Sequence, residues 1–242
     1  MSTAHTPLHR RRAPGRLRRA LAVLTVLLVA AILIALLVDR IFYSSSSPAG
    51  TGSGVAATQG RSLPSFGDVD LAGANNVIVH VGARQSVIVH ADNNLLSRVT
   101  TRVRSGSLVI GTTPGTLNAK SPMFVDVNLP SLSALRLQGD GNITVAGINS
   151  GSLSAVIAGS GTITASGTTT RLDVAISGSG TAQLDQLIAR DATASIPGSG
   201  TIMLSATRSL NASVPGSGTI LYHGNPHHVT TRVTGSGTIS PG

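Results

Sequence analysis

The 242-residue chain contains no cysteine, no tryptophan and no glutamate, and its aromatic side chains are three Phe and two Tyr. Without cysteine there is no disulfide, no thiol nucleophile and no lipidated-cysteine anchor, although that absence does not identify a compartment. Without glutamate, every acid is one of nine aspartates. Polysaccharide-cleaving β-helices need acids that converge for general acid–base work. Here Asp173, Asp185 and Asp191 fall at different points of their repeats, and Asp68 and Asp70 alternate on one strand end. No acid pair and no nucleophile–base pair assembles, so the sequence predicts a non-enzymatic protein with no cofactor. At 2% aromatic content it also lacks the rings on which nucleic-acid bases stack.

Charge is concentrated at one end. There are 18 Lys+Arg against 9 acids, but Arg10, Arg11, Arg12, Arg16, Arg18 and Arg19 all precede residue 20. From Arg61 onward, 11 basic and 8 acidic residues leave a net of +3. With no basic stripe on the repeats, no nucleic-acid partner is expected. Residues 20–38 then form an uninterrupted apolar run without a charge. At 1.5 Å per residue it spans about 28 Å, close to a bilayer core. Six arginines before it and Asp39-Arg40 after it orient the N-terminus toward the cytoplasm. A cleaved signal peptide would have a shorter apolar region and a small-residue cleavage site, whereas bulky Ile41-Phe42-Tyr43 follows this run. The residues around Arg18-Arg19 fit a twin-arginine signal poorly. The expected layout is a cytoplasmic basic arm (1–19), a transmembrane signal anchor (20–38) and a flexible linker (39–65). That makes a single-pass cell-membrane protein with an extracytoplasmic C-terminal domain. The Ser/Gly/Ala-rich stretch from Ser44 to Ser65 carries the linker reading.

The last third repeats one phrase, Gly-Ser-Gly-Thr, starting at Gly159, Gly178, Gly198, Gly216 and Gly235. A degenerate copy, Gly139-Asp140-Gly141-Asn142, lies one period earlier. The nearly constant step, about 19 residues, is the size of one coil of a stacked β-solenoid. Ahead of the copies run alternating strands, such as Leu153, Ala155 and Ile157, or Leu172, Val174 and Ile176. Behind them Ile163, Ala182, Ile202, Ile220 and Ile239 fill one equivalent position. Period-two alternation turns these side chains toward a core. The fold class expected is all-β, a parallel β-helix with coils of about 19 residues after an N-terminal transmembrane helix.

Gly159, Gly161, Gly178, Gly180, Gly198, Gly200, Gly216, Gly218, Gly235 and Gly237 are read as structural corners, where the backbone takes angles that side chains forbid. Ser166-Gly167 and Gly224-Asn225-Pro226 read as returning turns. Stacked in register at roughly 4.8 Å per coil, Thr162, Thr181, Thr201, Thr219 and Thr238 form a hydroxyl row beside a serine row. An ice-binding array needs a second row, which Thr164 begins but Gln183, Met203, Leu221 and Ser240 do not continue. A phosphate loop needs a following helix and a lysine, which these copies lack. A calcium repeat needs carboxylates, of which only Asp140 is present. His223, His227 and His228 surround the Gly224-Asn225-Pro226 turn. The reading assigns no metal, with these three histidines as weak transition-metal candidates.

Residues 66–130 differ. Val77-Ile78-Val79-His80-Val81 and Val87-Ile88-Val89-His90-Ala91 flank a short turn. Pairing Val81 with Val87 collects the valines on one face and puts His80 and His90 together on the other. Further strands are expected at Thr101–Arg104, Ser107–Thr112 and Phe124–Leu129, and a turn or one helical turn at Asn93-Asn94-Leu95-Leu96.

The order Phe66…Val69-Asp70-Leu71, Asn76-Val77-Ile78-Val79, Ser86-Val87-Ile88-Val89, Asp92-Asn93-Asn94-Leu95-Leu96, then Ser105-Gly106-Ser107-Leu108-Val109-Ile110 resembles the head GIN domain family of auto-transporter adhesins. The Leu129-Pro130-Ser131-Leu132 step followed by Gly-x-Gly coils resembles its second half. The resemblance runs from Phe66 onward, as an N-terminal β part (66–130) and a repeat solenoid (131–242). It implies a β-solenoid outside the cytoplasm of a bacterium, and no catalytic residues. A translocating barrel would need at least eight further strands of about ten residues; the repeats run to Gly242, so none is expected.

The function expected is a membrane-anchored extracytoplasmic binding or adhesion module. Its expected partners are the membrane, through the single span, and a cell-surface glycan or envelope protein. The scarcity of Tyr and Trp weighs against sugar stacking. The alternatives are a self-associating envelope scaffold, joined as a homo-oligomer through an uncapped solenoid end, and a sensory ectodomain.

Overall fold

The computed structural model describes residues 50–242. The basic arm, the expected transmembrane helix and residues 39–49 lie outside the described residues. Among the described residues, no helix is long and apolar enough to cross a membrane.

Among the described residues, seventeen strands follow one another. β1 (Gly50–Thr51) and β2 (Ala56–Gly60) precede β3 (Asp68–Ala72), β4 (Asn76–Val81) and β5 (Ser86–Asp92). A 3-10 turn at Leu96–Arg98 leads to β6 (Val99–Arg104), β7 (Ser107–Thr112), β8 (Leu117–Asn118) and β9 (Phe124–Leu129). β10 (Ala134–Leu137) opens the repeats, and β11 (Asn142–Ile157), β12 (Thr162–Ile176), β13 (Thr181–Ser195) and β14 (Thr201–Val214) carry them. β15 (Thr219–His223), β16 (His228–Val233) and β17 (Thr238–Pro241) end them. Together they build an all-β solenoid of about five turns.

The coils stack in parallel at the register the repeat demands. Ile143, Ile163, Ala182, Ile202, Ile220 and Ile239 form one column. Leu153, Leu172, Ala192, Leu210 and Val229 form another. Apart from the last member of each, these side chains are 0–4% exposed. Burying an aliphatic side chain of this size is worth about 1.5–3 kcal/mol. A single coil has nothing to bury against, so that gain comes only with stacking.

Three expectations change. First, β4 and β5 are not a hairpin: β9 lies between them, parallel to β4 and antiparallel to β5. Val127 opposes both Val79 and Val87, and Val125 opposes Val77 and Val89. The valines do share one core, but across an intervening strand. Second, the chain does turn at Ser166-Gly167, but without leaving the strand. β12 runs on through it, bent at Gly167 (φ 131), as β11 bends at Gly147 (φ 80). The ladder absorbs each bend as a register shift. Third, the stretch read as linker is in the fold from Gly50, since β1 pairs with β8 and β2 with β5.

The two ends of the solenoid differ. At the first, β7 and β9 stack in parallel under β3 and β4, and antiparallel β6, β5 and then β2 close the stack. At the last, β16 and β17 each pair on one side only. All six residues of β16 are exposed.

Candidate functional site

The ten corner glycines stand at the bends between coils, but not for the reason of backbone angle. None has φ in the left-handed region. What excludes a side chain is the next coil. A Cβ on Gly178 would fall on the carbonyl oxygen of Gly159, one on Gly198 on that of Gly178, and one on Gly216 on that of Gly198. Gly161, Gly180, Gly200, Gly218 and Gly237 meet the second corner residue below them in the same way. The approach is close because the ladder continues through the corner: Ser179 N donates to Gly159 O at 3.2 Å and Thr201 N to Gly180 O at 3.0 Å.

The same contacts reveal a further corner, which the Gly-Ser-Gly-Thr phrase does not mark. Gly139 and Gly141 stack on Gly73 and Asn75, so Gly73-Ala74-Asn75-Asn76 is an earlier copy, set apart from Gly139 by the whole run of strands from β4 to β10. Below it the chain leaves in the loop between β7 and β9, and this makes room for the Asn75 side chain. Its Nδ2 donates to Gly111 O at 3.3 Å.

Corner stacking aligns the outer columns. Asn142, Thr162, Thr181, Thr201, Thr219 and Thr238 are in register on one lateral sheet. Thr238 Oγ1 donates to Thr219 Oγ1 at 3.3 Å. Beside them runs the column Thr144, Thr164, Gln183, Met203, Leu221 and Ser240, which has no hydroxyl at Gln183, Met203 and Leu221, so one continuous hydroxyl row forms and not two. Ser160, Ser179, Ser199, Ser217 and Ser236 stand along the corner, exposed to solvent. The result is a straight, uncharged, donor- and acceptor-rich strip.

The aspartates do not converge. Asp191 accepts from Arg208 Nε at 2.7 Å, Arg208 Nη2 at 2.5 Å and Ser209 Oγ at 2.5 Å. The bonds from Arg208 and Ser209 outweigh partial burial and hold its carboxyl at about 2. Asp92, to which the sequence alone assigns no role, is buried. It accepts from Gly54 N and Lys120 N, both at 2.8 Å, and from Ser121 N at 3.3 Å and Ser121 Oγ at 2.9 Å. Burial alone would raise its pKa; these bonds outweigh burial and lower it. Asp92 clasps residues 50–55 and the loop after β8 to the body. Both carboxylates are spent on structure.

The histidines are separate. His80 Nε2 lies 3.9 Å from Asp126 Oδ1, and His90 stacks on Phe124 with ring centroids 4.2 Å apart. His223 lines a groove of about 530 Å³ with Tyr222, Asn225, Val229 and Gly242, which neither His227 nor His228 lines. Among the described residues, no three His, Asp or Cys side chains are placed to hold a metal ion.

At the open end, two members of the core columns lie uncovered. Val229 and Val233 are 42% and 44% exposed, whereas Leu210 and Val214, their partners one coil earlier, are 2% and 0% exposed.

These features define a class, a β-solenoid with stacked glycine corners and polar lateral sheets. The sequence profile of the family described as "Putative auto-transporter adhesin, head GIN domain" matches residues 65–226, and the chain belongs to that family. No curated protein matches the chain. Among solved structures, it is similar to a putative adhesin from Bacteroides fragilis, at 20% identity and a TM-score of 0.66, over 79% of this chain and 99% of that one. It is also similar to a putative lipid binding protein from Parabacteroides distasonis, at 22% identity and a TM-score of 0.52, over 79% and 98%. At these identities the likeness is one of fold.

Proposed function

We propose that this protein is a non-enzymatic, membrane-anchored adhesion module that displays its solenoid outside the cytoplasm and holds a cell-surface polymer, a glycan or an envelope protein along its hydroxyl strip. The observation that carries the reading is the in-register threonine column from Thr162 to Thr238. A repeating hydroxyl row fits a repeating polar ligand. Family membership and the apolar run at 20–38 support display on a membrane. The test is retention of the full chain by envelope polysaccharide and by envelope protein fractions. Replacing Thr181, Thr201 and Thr219 with Val should weaken retention by at least about tenfold, each lost hydrogen bond being worth about 1 kcal/mol. Retention equal to that of the wild type sinks the strip. A C-terminal reporter active only in the cytoplasm sinks the display.

The exposure of Val229 and Val233 favours a second reading, self-association through the open end. Sedimentation velocity over a concentration series should then show a larger species that the pair Val229→Lys and Val233→Lys abolishes. A wild type that stays monomeric rejects it.

A further inference from the structure

We propose that the cleft at the closed end of the solenoid is a binding site for a phosphate-bearing ligand. The cleft, of about 440 Å³, lies between the segment leaving β2 and the outer edge of β6. Arg61, Ser62, Ser97, Thr100, Thr101 and Arg102 line it, with Thr100 and Arg102 on one face of β6 and Thr101 on the other, beside Val99 and Val103.

Arg61 is fixed in place. Its Nη2 donates to Leu96 O at 2.7 Å and Val99 O at 3.2 Å, and its Nε has no partner. The Arg102 side chain is exposed, makes no hydrogen bond, and has no carboxylate within ion-pair distance among the described residues. Arg98 and Arg104 stand close by in sequence, also without an ion pair. From Asn93 through Val125 the chain has no acidic residue. Asp68 and Asp70 on β3 are separated from β6 by β7, and Asp70 is engaged by Gln138 at 2.8 Å.

The β6 edge adds backbone donors. Ser105 and Gly106, both at positive φ, form the two-residue turn of the β6–β7 hairpin, so Arg104 and Ser107 make its first hydrogen-bonded pair. Counting back, the amides of Val99, Thr101 and Val103 point away from β7. A peptide strand cannot add along this edge, because Arg61 already occupies the outward carbonyl of Val99. A compact anion can take the remaining donors. The free Arg102 fork, the hydroxyls and the outward amides together exceed what a planar carboxylate accepts and match a tetrahedral phosphate, with the anchored Arg61 adding positive charge beside them. The cleft is larger than one phosphate, so the ligand carries the phosphate on a further polar group.

The test uses the full chain in neutral-detergent micelles, read by backbone amide NMR, with inorganic phosphate and glycerol 1-phosphate as probes and chloride at equal ionic strength as the control. Saturable shifts confined to residues 60–63 and 97–102 are expected. Arg102→Gln should weaken binding about tenfold, the loss of one charge-assisted contact, while Arg232→Gln at the opposite end changes nothing. In nanodiscs, the same shifts on replacing phosphatidylcholine partly by phosphatidylglycerol, with no soluble phosphate, identify a lipid headgroup as the source. Shifts with glycerol 1-phosphate alone identify a free or polymer-borne phosphate. Shifts that chloride reproduces, or binding by Arg102→Gln equal to that of the wild type, overturn the proposal.

Discussion

Gly200 sits where a methyl group would meet the carbonyl of Gly180 and the side chain of Ile176, and neither can move without parting two coils. Gly200→Ala should therefore cost about 2–3 kcal/mol, whereas Gly60→Ala, with nothing within 4 Å of the added carbon, should be near neutral; urea unfolding compares them. Asp191 gives a pH signature. Its folded pKa of about 2 lies below the unfolded value of about 3.9, so its pairing with Arg208 stabilises the fold at neutral pH and is lost as pH falls from about 5 toward 2. Thermal melts of Arg208→Gln and the wild type should converge over that window, and a constant gap contradicts the assignment. The glycine spacing was legible because the repeat is literal. Its cause was not, because a sequence shows where a side chain is missing but not which atom would meet it. The Gly73–Asn75 corner was hidden by its asparagine and by the long excursion through β4 to β10 that separates it from the next copy.

For the elements, strand boundaries were more legible than neighbours. β7 and β9 occur over the residues their alternation predicted, Ser107–Thr112 and Phe124–Leu129. Period two settles which side chains face the core but leaves open which strand lies alongside. A valine-faced pair with a short turn reads as a hairpin whether or not a third strand enters. β9 does enter, and it becomes the central strand of the closed end. Val127 is 0% exposed between Val79 and Val87, so Val127→Ala should cost about 2 kcal/mol. The hairpin pairing would leave Val127 peripheral and the cost well under half of that. The basic cleft was illegible for the same reason. Arg61 and Arg102 are distant in the chain and meet only because the segment leaving β2 crosses the β6 edge.

The solenoid is a one-dimensional stack in which each repeat packs on its neighbours. Residues 181–200 form one complete coil, from Thr181 to the second glycine of the next corner. Deleting them joins Gly180 to Thr201 and leaves every column in register. The shortened protein should fold, with the same strand signature by circular dichroism and a melting temperature slightly lower than the wild type. Deleting only half of the same coil shifts the corners out of line and should give no cooperative melt. Architecture was legible at this scale because the period is a global property. The difference between the two ends was only half legible: the repeats announce the open one, but antiparallel strands carry no repeat.

The closed end also has a place in time. Apart from the links of β3 to β10 and β4 to β11, every strand pair of β1 through β9 is made within residues 50–129. These residues leave the ribosome before any Gly-Ser-Gly-Thr coil exists. Each later coil then docks on the one completed just before it, a short search compared with most β-topologies. The antiparallel closure therefore acts as a seed from which the rest is laid down in order. Pulse-labelled hydrogen exchange should find β7 and β9 protected before β14, and simultaneous protection of all coils would contradict a seeded order.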